Sequence, residues 1–257
     1  GILFINNAAI TLPDTVPATF STPLGNIVIP VHLKGNEVVS VATNGSQIFV
    51  GVAQADNEDY NTNRVVKNSD NGVLLIYNLS GGTINPDAPA QVLGSITDQA
   101  NFGMNLAVDG DVMVVTGSQS GLFPFGKIYE RNASNQWVEA MSIPNLGVAL
   151  MKLDVDGDHV IAGGISGTRI YSRQGGSWTQ VAAFSEPAFD VTFDGDVARV
   201  MAPGVIHSYR EINPGNWQRE QSVQTAVELT TFDSLDESDN VTYSIKITKG
   251  NIYTGND

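Results

Sequence analysis

Two stretches decide the fold: Val38-Val-Ser-Val-Ala-Thr-Asn-Gly-Ser-Gln-Ile-Phe-Val-Gly51 and Met104-Asn-Leu-Ala-Val-Asp-Gly-Asp-Val-Met-Val-Val-Thr-Gly117. In each, an apolar strand runs into an X-Gly turn and a second apolar strand runs out. Related stretches follow at Leu150–Gly163, Phe189–Met201 and Tyr243–Gly255. Asn-Gly and Asp-Gly suit the positive-φ pair of a type I′ turn, whose twist matches that of the flanking strands. Asn44-Gly45, Asp109-Gly110, Asp156-Gly157 and Asp194-Gly195 are therefore expected at the centres of hairpins. Lys249-Gly250 is a weaker member, because Lys resists positive φ more than Asn or Asp. The flanks are rich in Val, Ile, Phe, Leu and Met, as strands require.

A shorter motif follows most of these hairpins, in which a glycine leads into a strand ending on an aromatic ring. It reads Gly72-Val-Leu-Leu-Ile-Tyr77, Gly126-Lys-Ile-Tyr129, Gly167-Thr-Arg-Ile-Tyr171 and Gly204-Val-Ile-His-Ser-Tyr209. Three copies continue through a polar turn to Trp137, Trp178 or Trp217, which opens a fourth strand. Four antiparallel strands per unit, repeated, is the pattern of β-propeller blades. Four units lie at about residues 38–96, 102–143, 147–184 and 188–223. The fifth hairpin, at 241–255, lacks outer strands. Gly1-Ile-Leu-Phe4 matches the third-strand motif, so residues 2–5 are expected to pair antiparallel with residues near 250–255. That splice would close a five-bladed ring and remove two free sheet edges. Residues 23–37 hold Ile27-Val-Ile-Pro-Val-His-Leu-Lys-Gly-Asn36, a candidate for an additional hairpin leg. The chain reads as one propeller domain over 1–257, alone or as a module of a longer protein.

Net charge is −14, with Asp+Glu 27 against Lys+Arg 13. Such a chain repels phosphate backbones and anionic lipid, so neither nucleic acid nor a membrane surface is an expected partner. No run of about 18 apolar residues exists, so no membrane insertion is expected. The N-terminus has no basic segment ahead of an apolar one, so any secretory leader is already removed or never existed. Cysteine is absent, which excludes disulfides and thiol catalysis.

The unit Phe102-Gly103-Met-Asn-Leu-Ala-Val-Asp-Gly-Asp-Val-Met-Val-Val-Thr-Gly117, followed by Gly126-Lys-Ile-Tyr129 and Trp137, resembles an FG-GAP repeat. That repeat is the blade unit of integrin-α-like propellers and of many bacterial surface proteins. The resemblance covers most of the chain in degenerate form, and only 102–143 is close. It departs in three ways: the Phe-Gly pair is kept only at Phe102-Gly103, the Gly-Ala-Pro end is altered to Val-Thr-Gly117, Ala-Gly-Gly164 and Met-Ala-Pro203, and family members mostly have seven blades. The resemblance implies binding of a protein or glycan at an extracellular, cell or particle surface, without naming the partner.

Asp154-Val-Asp156-Gly-Asp158 invites a calcium reading, and several FG-GAP propellers hold calcium in a lengthened loop at this hairpin. Here the turn is too short to gather six or more oxygens, so these aspartates are expected to serve the turn, with no metal and no cofactor. His32, His159 and His207 are far apart and lack zinc-ligand spacing. No Gly-x-Ser-x-Gly elbow accompanies a Ser-His-Asp set. A five-bladed glycan-cleaving hydrolase is the alternative from another class, and it needs two carboxylates across a central pocket. Glu37, Glu58, Glu186 and Glu228 are its candidates, none in a distinctive motif. A structural component of a surface layer, appendage or virion is the other alternative. No catalytic residue is assigned. The three tryptophans could stack on sugars, but their identical place in each repeat favours packing between blades.

Residues 53–71 depart most from the repeat. This connection between second and third strands is short in the other units, and long connections in compact domains are usually functional or disordered. It carries Asp56, Asn57, Glu58, Asp59, Tyr60, Asn63 and Arg64, a set suited to binding. Those residues form the expected ligand-binding site, against the alternative of a solvated polar loop.

Overall fold

The computed structural model describes residues 2–5, 8–22, 25–33, 38–57, 71–94, 101–119, 123–144, 146, 151–224, 247–248 and 251–252. All regular structure among them is β. The chain opens with β1 (Ile2–Ile5) and β2 (Ala8–Thr11), then β3 (Thr15–Thr22) and β4 (Gly25–His32). The first blade contains β5 (Ser40–Thr43), β6 (Gln47–Val52), β8 (Val73–Asn78) and β9 (Gln91–Gly94), and β7 (Asp56–Asn57) leaves it to pair with β4. The second is β10 (Leu106–Asp109), β11 (Val112–Gln119), β12 (Phe123–Arg131) and β13 (Trp137–Ile143). The third is β14 (Lys152–Asp156), β15 (His159–Gly164), β16 (Gly167–Gln174) and β17 (Ser177–Phe184). The fourth is β18 (Asp190–Asp194), β19 (Val197–Ala202), β20 (Val205–Asn213) and β21 (Asn216–Gln224). A short hairpin of β22 (Ile247–Thr248) and β23 (Asn251–Ile252) follows. Each blade is a four-stranded antiparallel sheet in simple meander order, so the protein is a β-propeller of the blade type its repeats specify.

The side-chain period of two places alternate residues on opposite faces of each blade. Ile48, Val50, Val52, Val73, Leu75 and Tyr77 turn toward the N-terminal sheet, where they meet Val16, Ala18, Val31 and Leu33. Phe49, Leu74 and Ile76 turn the other way, to Phe102, Met113, Val115, Tyr129 and Trp137 of the second blade. Val112, Val114 and Ile128 then face Val155, Val160, Ala162 and Tyr171 of the third. Ile161 and Ile170 face Val191, Phe193, Ala198 and Val200 of the fourth. At roughly 1.5–3 kcal/mol for each large apolar side chain buried, this layer-on-layer packing is the main cohesion between blades. The inner strands form an arc in the order β5, β10, β14, β18, each against the next.

The structure corrects one detail. The central turn residues are Gly-Asp, not Asp-Gly. Asp109 pairs with Val112, Asp156 with His159 and Asp194 with Val197, so the first aspartate is the last residue of its strand. Gly110, Gly157 and Gly195 have φ of 54, 54 and 62°, and the aspartates after them are not positive. Positive φ at the first central residue alone is the type II′ arrangement, in which glycine leads. At the N-terminus, Ile2–Ile5 pairs with Ala8–Thr11, while of the residues near 250–255 expected against it only Asn251 and Ile252 are among the described ones. The nearest apolar strand lies a short connection away, and short closures cost the least chain entropy. The candidate hairpin leg near residue 27 is formed: β4 pairs with β3 over its whole length.

Candidate functional site

Antiparallel order puts the X-Gly turns at one end of every blade. The second-to-third-strand connections and the crossings between blades lie at the other. The 53–72 excursion belongs to this second end. Its stem is closed by the amide of Gly72 donating to Ala55 O at 3.1 Å and that of Ala55 donating to Val52 O at 3.2 Å. The amide of Phe102 donates to Asn71 O at 3.0 Å, which ties the stem to the second blade. Gly72 has φ +68, and a Cβ there would lie 2.3 Å from Phe102 O, so only glycine fits. The Phe102-Gly103 pair thus acts as a buried seat under the excursion, with the Phe102 ring stacked on Phe125 at 6.5 Å. On the other side, Asp56 and Asn57 pair with His32 and Val31 of β4. Of the expected ligand-binding residues, Asp56 and Asn57 therefore extend a sheet edge, whereas Glu58, Asp59, Tyr60, Asn63 and Arg64 lie outside the described residues.

At the same end, the starts of the inner strands carry a polar rail that sequence reasoning missed. Ser40 Oγ donates to Gly103 O at 2.7 Å, and Asn105 Nδ2 donates to Met151 O at 3.0 Å. Lys152 and Asp190 occupy the same position in the next two blades, and burial raises the Asp190 pKa against the opposing pull of the Val191 amide and the Lys152 ammonium. These side chains sit at one register of four successive strands. That common offset from the X-Gly turn was the available signal.

The aspartates at the opposite end all have structural partners. Asp111, Asp158 and Asp196 each hold an arginine of their own blade, with Arg131 Nε at 2.7 Å, Arg173 Nε at 2.8 Å and Arg210 Nη1 at 2.7 Å. In the first three blades the preceding residue of the turn reaches the next blade. Asn44 Nδ2 donates to Gly110 O at 3.0 Å, Asp109 Oδ2 accepts from the Gly157 amide at 2.8 Å, and Asp156 Oδ2 accepts from the Gly195 amide at 3.0 Å. Asp154 accepts from the Phe193 amide at 2.7 Å and Thr192 Oγ1 at 2.8 Å. Burial nevertheless raises its pKa, with the nearby Asp156 charge adding to the effect. The three carboxylates of Asp154-Val-Asp156-Gly-Asp158 thus point to three separate partners. Among the described residues no cluster of three metal-ligating side chains forms.

The tryptophans lie between blades. Trp137 donates Nε1–H to Gln47 Oε1 at 2.9 Å and meets Phe49 edge-on at 5.3 Å. Trp178 donates to Glu130 Oε1 at 2.6 Å, and Trp217 packs on His159 at 5.6 Å. All three are buried, so none offers a flat face to a sugar. Gln91 clamps the Trp137 backbone with two bonds of 2.8 Å, in the blade that lacks its own tryptophan.

His159 Nε2 lies 3.3 Å from Glu211, and His207 Nδ1 lies 2.8 Å from Ser222 Oγ on the two outermost strands of the fourth blade. Burial lowers the His207 pKa and favours the neutral ring. Among the described residues no carboxylate orients that ring, so the contact lacks the third member of a hydrolytic triad. Glu186 is ion-paired to Arg219, which also donates to Tyr209 OH at 3.0 Å. Glu37, Glu58 and Glu228 lie outside the described residues. No described helix is long and apolar enough to cross a membrane. No protein-family model matches the chain, and no curated protein matches it.

Proposed function

We propose that this propeller is a non-catalytic recognition or adhesion module at the exterior of a cell or particle. It would bind a protein or glycan through the end of the disc that carries the 53–72 excursion. One observation carries this reading: the excursion leaves from a stem fixed on both sides. Gly72, Ala55 and Phe102 hold it to the blades, and Asp56-Asn57 hold it to β4. Residues 58–70 are not needed to join β6 to β8, since the third blade makes the same connection through Ile165-Ser166. Binding loops on rigid scaffolds have this form. Tyr60 and Arg64 are the anchors, because such residues dominate interface energies. Asp56, Glu58 and Asp59 would select a basic or hydroxyl-rich partner, and Asn57 and Asn63 would supply adaptable hydrogen bonds. The resemblance to FG-GAP repeats, strongest at Phe102–Trp137, supports the same class of function.

The test replaces residues 58–70 with a short Gly-containing turn. Both chains are applied to a panel of immobilised glycans and basic extracellular proteins. The shortened chain is expected to keep its far-ultraviolet spectrum and melting temperature but lose binding. Unchanged binding by the shortened chain would make the excursion ornamental and overturn the assignment. Turnover of a glycan, abolished by replacing one Glu or Asp, would favour the hydrolase instead.

A further inference from the structure

We infer that the seam between the third and fourth blades is a proton-dependent clasp, made by His159 and Glu211 where the two earlier seams carry bonds indifferent to pH near neutrality. In the first three blades the residue that opens the second strand pairs across to the third strand: Gln47 with Asn78, Val112 with Glu130, His159 with Ser172. At the first two seams one member of that pair takes the indole N–H of the following blade. Gln47 accepts from Trp137 at 2.9 Å and Glu130 from Trp178 at 2.6 Å. At the third seam Ser172 stands in the place of Glu130, and its short side chain makes no such bond. Ser172 Oγ and Trp217 Nε1 are both buried without a hydrogen-bond partner. His159 instead sets its ring against the indole, at 5.6 Å and 79°.

Arg173 lies opposite Trp178 across its strand pair, and Glu211 lies opposite Trp217. Arg173 Nη1 reaches back to Glu130 of the second blade at 3.2 Å. Glu211 Oε2 reaches back to His159 Nε2 of the third at 3.3 Å. The two links share a place in the repeat and have opposite sign. A guanidinium keeps its charge at every working pH, whereas imidazole is the side chain whose ordinary charge change falls between about pH 5 and 8. Glu211 is anchored for this contact, because its other oxygen accepts the Gly215 amide at 2.6 Å. The two side chains are 26% and 16% exposed, so salt and solvent screen their attraction less than on open surface.

The charges around His159 favour the same state. On β14, Asp156 is its cross-strand partner and holds the Gly195 amide at 3.0 Å. Asp158, in the turn before it, is held by Arg173 Nε of β16 at 2.8 Å. Across the seam, Phe193 of β18 and Trp217 of β21 present rings. Asp194 is paired with Arg199 at 3.1 Å, and Asp196 and Glu220 with Arg210 at 2.7 and 3.1 Å. Among these carboxylates Glu211 and Asp156 have no arginine or lysine of their own, so the surroundings of His159 are left negative. Protonation of His159 turns its contact with Glu211 into an ion pair and brings positive charge to the Trp217 ring. The clasp tightens as pH falls through the range in which imidazole titrates, and it loosens as pH rises. The gain persists downward until Glu211 itself takes a proton.

A double-mutant cycle of His159→Gln and Glu211→Gln, read by thermal melts at about pH 5.5 and about pH 8, isolates the link. Glutamine at 211 keeps an acceptor for the Gly215 amide. The coupling is expected to be larger at the lower pH, by roughly 2–4 °C of melting temperature. Equal coupling at the two pH values, zero included, would show that the proton plays no part and overturn the inference, and so would a larger coupling at the higher pH. The wild-type chain supplies a second readout. A protonated imidazole against an indole quenches its fluorescence, so tryptophan emission should fall between about pH 8 and about pH 5.5, and His159→Gln should remove the fall. Emission that stays level in the wild type, or a fall that survives the substitution, would refute the clasp.

Discussion

Replacing Asp154 tests whether the carboxylates of the hairpin turns act as clasps between blades. In Asp154→Ala the Phe193 amide loses its acceptor at 2.7 Å and the Val155 amide its own at 2.9 Å. The Thr192 hydroxyl has a second acceptor, Phe193 O at 3.3 Å, so it does not become an orphan. Each buried amide without a partner costs about 1–3 kcal/mol, so the two together cost about 2–6 kcal/mol. For a chain of this size about 1 kcal/mol moves the melting temperature by roughly 2–4 °C, so a fall of about 4–24 °C is expected. Asp154→Asn keeps one acceptor oxygen and removes a charge that burial disfavours, and it should fall by much less. Burial raises the folded-state pKa of Asp154 and of Asp190 above their unfolded values. Such groups oppose folding while ionised. Their penalty is fully present above the folded pKa and is relieved as pH falls through it toward the unfolded value. The wild type should therefore melt higher just above the ordinary carboxylate range than at pH 7, and Asp154→Asn should flatten part of that slope. Thermal melts followed by circular dichroism at both pH values read both effects. An Asp154→Ala chain that melts with the wild type would refute the clasp. A wild-type melting temperature that falls steadily from pH 7 downward would refute the assigned sign.

Gly51→Ala should fail to fold or melt far lower, because a Cβ there would lie 2.1 Å from Gly103 O, which is backbone and cannot swing aside. Gly45→Ala, with open space around it but φ of +86°, should cost only about 1 kcal/mol by comparison. Trp137→Phe should destabilise the chain partly by stranding Gln47 Oε1. In a double-mutant cycle with Gln47→Leu, a coupling of about 0.5–3 kcal/mol is expected, and additivity would mean the 2.9 Å bond contributes nothing. A chelator should leave the melting temperature of the wild type unchanged, since a bound ion would stabilise only the folded state, and a large drop would restore the calcium reading.

The blades were legible because their signals are local. A period of two, an X-Gly turn and an aromatic strand end all fall within about a dozen residues, and the four sheets follow the units read from them. Register at the turn was not legible. Asp-Gly and Gly-Asp both occur in Asp109-Gly110-Asp111, and only the pairing of Asp109 with Val112 decides which two residues form the bend. The pairing of Ile2–Ile5 with Ala8–Thr11 was not legible for a related reason. A four-residue match carries little information, and strand pairing is decided by which edge lies within reach, which composition does not encode. Of the candidate site, the departure of 53–71 from the repeat was visible, but its stem was not. The hydrogen bond from Phe102 to Asn71 spans two blades, and no spacing within one blade announces it.

The Asp-Gly-Asp repeats show why a motif rich in carboxylates need not mark a cation site. In each of the second to fourth blades the later aspartate holds an arginine of the third strand. The earlier aspartate in the second and third blades points to the glycine amide of the next turn. Asn44 makes the same link with its polarity reversed, donating to a carbonyl where the others accept from an amide. A cation would have to displace at least two of these partners at any one turn and leave an arginine or a backbone amide unpaired. The turn glycine serves this scheme as well: its amide faces the preceding blade, free to be taken by that blade's aspartate. The repeat is thus best understood as a clasp that fixes blade against blade. Under the proposed recognition function, specificity for an outside partner falls to the opposite end of the disc, where the repeat is broken.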